Sequence, residues 1–139
     1  MNGKENEAER VAEIEKICFA EPWSAASVTA QLESGNTVFL RAYDGEKLIG
    51  YALGTVSFDE AELYRLAVLP EKRRLGFGEG LLKDFLRECR RRGAARVFLE
   101  VRAKNTPALS LYRKAGFVQI ALRKGYYGDD DAAIMEREF

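Results

Sequence analysis

The chain has 139 residues, 47% of them hydrophobic and 32% charged, which is enough for one domain with a real core and too few for two comfortable ones. Its 22 basic residues are matched by 22 acidic ones, which excludes a whole-molecule field drawing it to nucleic acid or to an anionic membrane. With no histidine and two cysteines, a zinc site or a Cys–His nucleophile is disfavoured, and proton chemistry falls to Glu, Asp, Tyr, Lys or a thiol.

The opening "MNGKENEAER" is too polar for a secretory segment, and no apolar run approaches the roughly 18 residues of a membrane span. A cytoplasmic protein with a single domain over 1–139 is expected, with neither membrane nor nucleic acid as partner and no metal. Residues 7–18 place Val11, Ile14 and Cys18 at helical spacing, and a second helix follows "EPWS" with Ser24 as its N-cap. "TVFLRAY" (37–43) and "LIGYALGTV" (48–56) read as strands, with Asp44-Gly45 a hairpin signal between them. "ELYRLAVL" (62–69) is a third strand, closed by Pro70.

"EKRRLGFGEG" (71–80) follows, and then a helix in which Leu81, Leu82, Phe85, Leu86 and Cys89 share one face, with Gly93 as its stop. Cys18 and Cys89 sit among apolar neighbours and read as core residues. "RVFLEV" (96–101) is a strand and "TPALSLYRKA" (106–115) a helix with Pro107 near its start and Gly116 behind it. "FVQIALRKGYY" (117–127) and "AAIMEREF" (132–139) are the closing strands. Strand 63–69, helix 79–92 and strand 96–101 then form a right-handed parallel crossover in a mixed sheet. The glycine loop therefore lies at the C-terminal end of a strand, where α/β folds open a cleft.

A loop at a helix N-terminus offers free backbone N–H groups and the positive end of the helix dipole, a good site for phosphate. Gly76 and Gly78 let an anion approach the backbone, and Lys72, Arg73 and Arg74 add positive charge. The spacing fits neither a Walker loop nor a dinucleotide fingerprint, which leaves a phosphate-bearing ligand of another kind.

Arg73-x-x-Gly76-x-Gly78, after a strand ending "LAV" and before an amphipathic helix, resembles the acetyl-CoA motif of the GNAT N-acetyltransferases. The likeness covers nearly the whole chain. "LEVRAKNTPALSLYRKAGF" (99–117), "EPWS" and "RKGYY" are most similar to the branch that acetylates the N-terminal alanine of a small-subunit ribosomal protein. The resemblance implies an α/β (α+β type) acyl-CoA N-acyltransferase fold with a mixed central sheet, and acetyl-CoA as co-substrate. It also implies a protein N-terminus as acceptor, attacked directly in a ternary complex. On this likeness Leu66, Ala67 and Val68 would pair with the pantetheine arm, and the backbone over Arg74, Leu75, Gly76, Phe77, Gly78 and Glu79 would hold the pyrophosphate beside Arg73. Asn105 would bind further along, although its place before Thr106-Pro107 equally suits an N-cap. The family's usual leading strand is absent or vestigial here, which leaves a sheet edge that suits a monomer or a weak homodimer.

Alternation along 97–101 sets Glu100 on the face of Phe98 and Arg102, opposite Val97, Leu99 and Val101. It could be an exposed carboxylate, a partner of Arg102 or a proton acceptor; the resemblance assigns the acceptor role. Tyr112 shares a helix face with Ala108 and Ala115, as a core tyrosine would; the resemblance makes it the proton donor. Asp129–Asp131 read as a solvated turn or as an acidic lip for a cationic substrate, and Trp23 as packing near the entrance. Acetylation of lysine side chains or of small amines is a second enzyme reading, and an acyl-CoA-sensing or interaction module a third.

Overall fold

The apolar alternation resolves into three layers in the computed structural model, which describes residues 3–139. Helices α1 (Gly3–Cys18) and α2 (Ala25–Leu32) cover one face of a six-stranded sheet, and α3 (Phe77–Arg91) and α4 (Thr106–Lys114) the other. The strands are β1 (Thr37–Asp44), β2 (Lys47–Ser57), β3 (Glu60–Val68), β4 (Arg96–Arg102), β5 (Val118–Arg123) and β6 (Ala132–Glu138), in the spatial order β1-β2-β3-β4-β6-β5. Only β3 and β4 are parallel, as the helix between them requires. Among the described residues no strand precedes α1.

Local signals account for most boundaries. Ser24 accepts a hydrogen bond from the Ser27 N–H at 3.1 Å and so caps α2. Gly93 (φ +96°) and Gly116 (φ +97°) end α3 and α4 in left-handed backbone. β2, buried without interruption from Leu48 to Gly54, is sandwiched between the two helical layers. All five apolar residues of the α3 stripe, Leu81 to Cys89, are buried. A side chain of the leucine or phenylalanine kind contributes about 1.5–3 kcal/mol when fully buried.

The strand ladder contains one irregularity that shapes everything near it. Leu53 pairs with Arg65 and Gly54 with Leu63, so Tyr64 is an extra residue in β3, a bulge. Before it, Ala61 and Leu63 face the α3 side; after it, Val68 does, while Ala67 and Leu69 join the α1 side. Gly54 sits opposite because a Cβ there would lie 2.1 Å from the Glu62 carbonyl oxygen and 2.6 Å from the Phe85 ring.

Two expectations change. β5 stops at Arg123, and "RKGYY" turns instead of extending it, with Gly125 (φ +67°) and Gly128 (φ +81°) in left-handed backbone. Helix α3 begins at Phe77, ahead of the apolar stripe, so Gly78 and Gly80 lie in its first turn despite their poor helix propensity.

Candidate active site

The parallel pairing of β3 with β4 ends at Leu63 and Leu99. Beyond that point the strands separate, and β3 from Tyr64 to Val68 keeps one backbone edge without a strand partner among the described residues. A groove of about 710 Å³ occupies this gap. Ala108, Leu111 and Tyr112 of α4 wall it on one side of the sheet, and Cys18 and Phe19 at the end of α1 on the other, so the gap connects the two faces. Leu66, Ala67 and Val68 form its floor.

Nine of the eleven residues expected around a cofactor border this groove; Leu75 and Phe77 do not. Leu75 is exposed to solvent, and Phe77 packs against both apolar clusters. Between β3 and α3 the chain curls through Arg74 (φ +64°) and Gly76 (φ +89°). Gly76 caps α3 without a side chain to satisfy the first-turn amides. A Cβ on Gly78 would touch nothing closer than 3.9 Å, and one on Gly76 nothing within 4 Å. The fold therefore does not fill the space in front of these amides, and the cradle fits an anion of phosphate type.

The basic residues of the loop behave less alike than expected. Lys72 pairs with Asp44, and Arg73 turns back to donate from Nε to the Val68 carbonyl at 3.0 Å. Each satisfies a nearby acceptor at the end of a strand, which leaves Arg74 without an ion pair among the described residues. Glu79 reaches across to Lys114 on α4 at 3.5 Å. Cys89 is core, its thiol pushed up to about 12 by burial. Cys18 is not: half-buried at the groove, its Sγ lies 3.7 Å from the Val68 oxygen and 3.6 Å from an Arg73 Nη2.

Tyr112 is 9% exposed and edge-on to Phe117, with ring centres 5.8 Å apart. Its hydroxyl has no hydrogen-bond partner among the described residues, and burial pushes its pKa up to about 12. The ring is part of the core, as the core reading expects, and the residue also lines the groove. Asn105 likewise does two things. Its Oδ1 accepts from the Ala108 N–H at 3.3 Å and caps α4, and the residue borders the groove.

Glu100 lies on the opposite sheet face from Tyr112, away from the core that holds Val97, Leu99 and Val101. No hydrogen bond or ion pair joins the two. Its partner is Arg123 of β5 at 3.4 Å; Arg102, the neighbour expected from alternation, pairs with Asp129 at 2.9 Å instead. Reasoning from sequence missed a second carboxylate here. Glu62 of β3 faces the same side; burial raises its pKa, a hydrogen bond with Tyr64 opposes this, and the Glu100 charge adds to the rise. The signal was available in "ELY", but only if strands β3 and β4 are neighbours.

The acidic turn is spent internally. Arg102 holds the Asp129 carboxyl below the usual carboxylate range, and Asp130, 9% exposed, accepts from the backbone of Lys104 and Asp131. Asp131 accepts from Gly125 N–H at 2.8 Å. These bonds fold "RKGYYGDDD" into a braced lip that carries Tyr126 and Tyr127 edge to face, with Arg102 stacked 4.3 Å over Tyr127. Asp129 and Asp130 are thus both engaged by groups of the protein itself, while the Asp129 side chain stays 83% exposed. Among the described residues no group of three acidic or cysteine side chains could hold a metal ion, and no helix is long and apolar enough to cross a membrane.

Comparison with known proteins matches this geometry to named relatives. The chain is 36% identical over 126 residues to the [ribosomal protein bS18]-alanine N-acetyltransferase of Escherichia coli strain K12, covering 88% of this chain and 84% of that protein. It is 36% identical over 140 residues to the N-alpha-acetyltransferase RimI of Mycobacterium tuberculosis, covering 95% and 87%. The crystal structure of the Escherichia coli ribosomal-protein-S18-alanine N-acetyltransferase superposes with a TM-score of 0.89 at 31% identity, covering 99% of this chain and 90% of that one. The model of the acetyltransferase (GNAT) family matches residues 8–117, across the glycine loop and both walls of the groove, and this chain belongs to that family.

Proposed function

We propose that this protein is a single catalytic domain that transfers the acetyl group of acetyl-CoA to the α-amine at a protein N-terminus, the acceptor named for its bS18-acetylating relatives. The observation that carries the reading is the gap between β3 and β4, open to both sheet faces and lined by Tyr112, with Glu100 and Glu62 outside its lining on the opposite sheet face. Such a gap lets a thioester and an amine meet from opposite sides.

The roles follow from chemistry. First-turn amides from Phe77 to Glu79 bind the pyrophosphate, and the free edge of β3 from Leu66 to Val68 pairs with the amide-bearing arm, as an added strand would. An α-amine has a pKa of about 8 and is mostly protonated at neutral pH. Glu100 takes that proton, directly or through water, and leaves the nitrogen free to attack the thioester carbon. As the C–N bond forms and the C–S bond breaks, the nitrogen releases its second proton to solvent and negative charge gathers on sulfur. Tyr112, whose hydroxyl is unpartnered, donates a hydrogen bond there. Burial, which raises its pKa to about 12, keeps the phenol neutral until the C–S bond breaks, so it first stabilises the leaving sulfur by a hydrogen bond and then hands over its proton, to be restored from solvent.

The test is a panel of an alanine-initiated peptide, the same peptide with blocked N-terminus and an internal lysine, and spermidine, with mass spectrometry placing the acetyl group. Acetylation at the α-amine of the first is expected. Label chiefly on lysine or spermidine would overturn the acceptor assignment.

A further inference from the structure

Glu15 is 1% exposed, and nothing in the transfer chemistry uses it. Buried carboxylates are costly unless well partnered, and this one has three partners on three different elements. Its Oε1 accepts from the Trp23 backbone N–H at 2.9 Å and lies 3.2 Å from Arg65 Nε, an ion pair whose N–H is not aimed at the oxygen. Its Oε2 accepts from the Tyr51 hydroxyl. Arg65 continues the chain of contacts, donating from Nη2 to the Glu21 carbonyl at 2.9 Å and lying 4.2 Å over the Phe19 ring and 5.5 Å from that of Trp23. Trp23 in turn packs on Tyr64, ring centres 6.2 Å apart.

Apart from the Tyr51 hydrogen bond and the Glu15–Arg65 pair itself, these contacts act on the connection between α1 and α2. That connection has no helix or strand of its own, so its position is set by what it bonds to. Anchoring α1 does not require the carboxylate, because Ala8, Val11 and Ile14 already seat that helix at 0–1% exposure. Phe19 walls the groove, and Trp23 lies against the face that carries Glu62 and Tyr64.

We propose that Glu15 and Arg65 form a positioning pair that fixes the Phe19–Trp23 wall against the opening in the sheet, and so governs acceptor binding without taking part in the chemistry. The proposal rests on the reading of this groove as the transfer site. The bulge at Tyr64 is what turns Arg65 to the α1 side, where Glu15 waits.

Trp23 is the sole tryptophan, so its fluorescence reports the wall with no substrate present. In the full chain, Glu15→Gln should make Trp23 more accessible to acrylamide and raise the KM for the peptide about ten-fold, with kcat little changed and acetyl-CoA affinity within about two-fold. Arg65→Lys keeps a charge beside Glu15 but loses the forked donor and the stacking; it should move both readouts the same way, and it carries the test if Glu15→Gln does not fold. Val11→Ala, on the same helix and 0% exposed, should lower Tm while leaving Trp23 quenching and peptide KM at wild-type values. Unchanged quenching and KM in the pair variants would overturn the proposal, as would an equal KM change in Val11→Ala. Wild-type protein that acetylates no peptide would sink the acceptor reading, whereas the quenching arm judges the positioning role by itself.

Discussion

Valine at Gly78 separates what the fold needs from what a phosphate needs. Gly78 has ordinary helical backbone, and a Cβ there would meet only Leu111 Cδ2 and Val68 Cγ2, both at 3.9 Å. Glycine in a helix costs about 0.8–1.0 kcal/mol relative to alanine, and valine about half that. Replacement should therefore stabilise the ligand-free protein by a few tenths of a kcal/mol, about one degree in Tm at this size. The same side chain would enter the groove that Gly78 borders, where the pyrophosphate is proposed to lie. Losing one hydrogen bond to a charged group, about 1.5–3 kcal/mol, weakens binding roughly ten- to two-hundred-fold. Calorimetric titration with acetyl-CoA and a thermal melt without it read the two effects apart, and Gly78→Ala should fall between. A Gly78→Val protein with wild-type melting and wild-type acetyl-CoA affinity would refute the phosphate cradle; a collapse of Tm would refute the claim that the space is free.

Tyr112→Phe should cut kcat by about 10²–10⁴-fold with Tm and acetyl-CoA affinity unchanged, since the hydroxyl has no hydrogen-bond partner among the described residues; wild-type turnover would remove Tyr112 from the mechanism. Glu100→Gln should lower activity most near pH 7 and recover in part towards the amine's own pKa of about 8, whereas a constant ratio to wild type across that range would count against a proton-acceptor role. Glu62→Gln should raise Tm at pH 7. Burial holds the Glu62 carboxyl above its usual range, so the folded state prefers it neutral, and stability falls as pH rises from the unfolded value of about 4.3 through the raised folded value. The gain should vanish below about pH 4; a gain that persists there, or a loss at pH 7, contradicts this sign.

The element order and the parallel β3–α3–β4 unit were legible because each rests on local signals, the α3 stripe and the glycine stops, whereas the expectation for "LAV" at the floor of the groove came from the family resemblance. What was not legible depends on partners distant in sequence. Lys72 is tied to Asp44, 28 residues away, and Arg102 to Asp129, 27 away, so neither charge acts where spacing suggested. "RKGYY" has the composition of a strand but is pulled into a turn by Asp130 and Asp131. Cys18 has apolar neighbours along the helix, yet falls at its end, where the wall of the groove begins. Glu15 reads as one more polar residue in a charged helix, and only the fold reveals its burial.

The extra residue at Tyr64 makes β3 two strands in sequence with opposite parity. On its N-terminal side odd positions belong to the α3 layer, and on its C-terminal side to the α1 layer. The segment therefore cannot be exchanged as a block with that of an otherwise similar protein lacking the insertion. A transplanted strand of regular length would rotate Leu66 and Val68 out of the groove, or Ala61 and Leu63 out of the core, depending on which end was aligned. Chimeras in this region have to be joined on one side of Tyr64, and alignments that place a gap there change which residues are compared as facing the ligand.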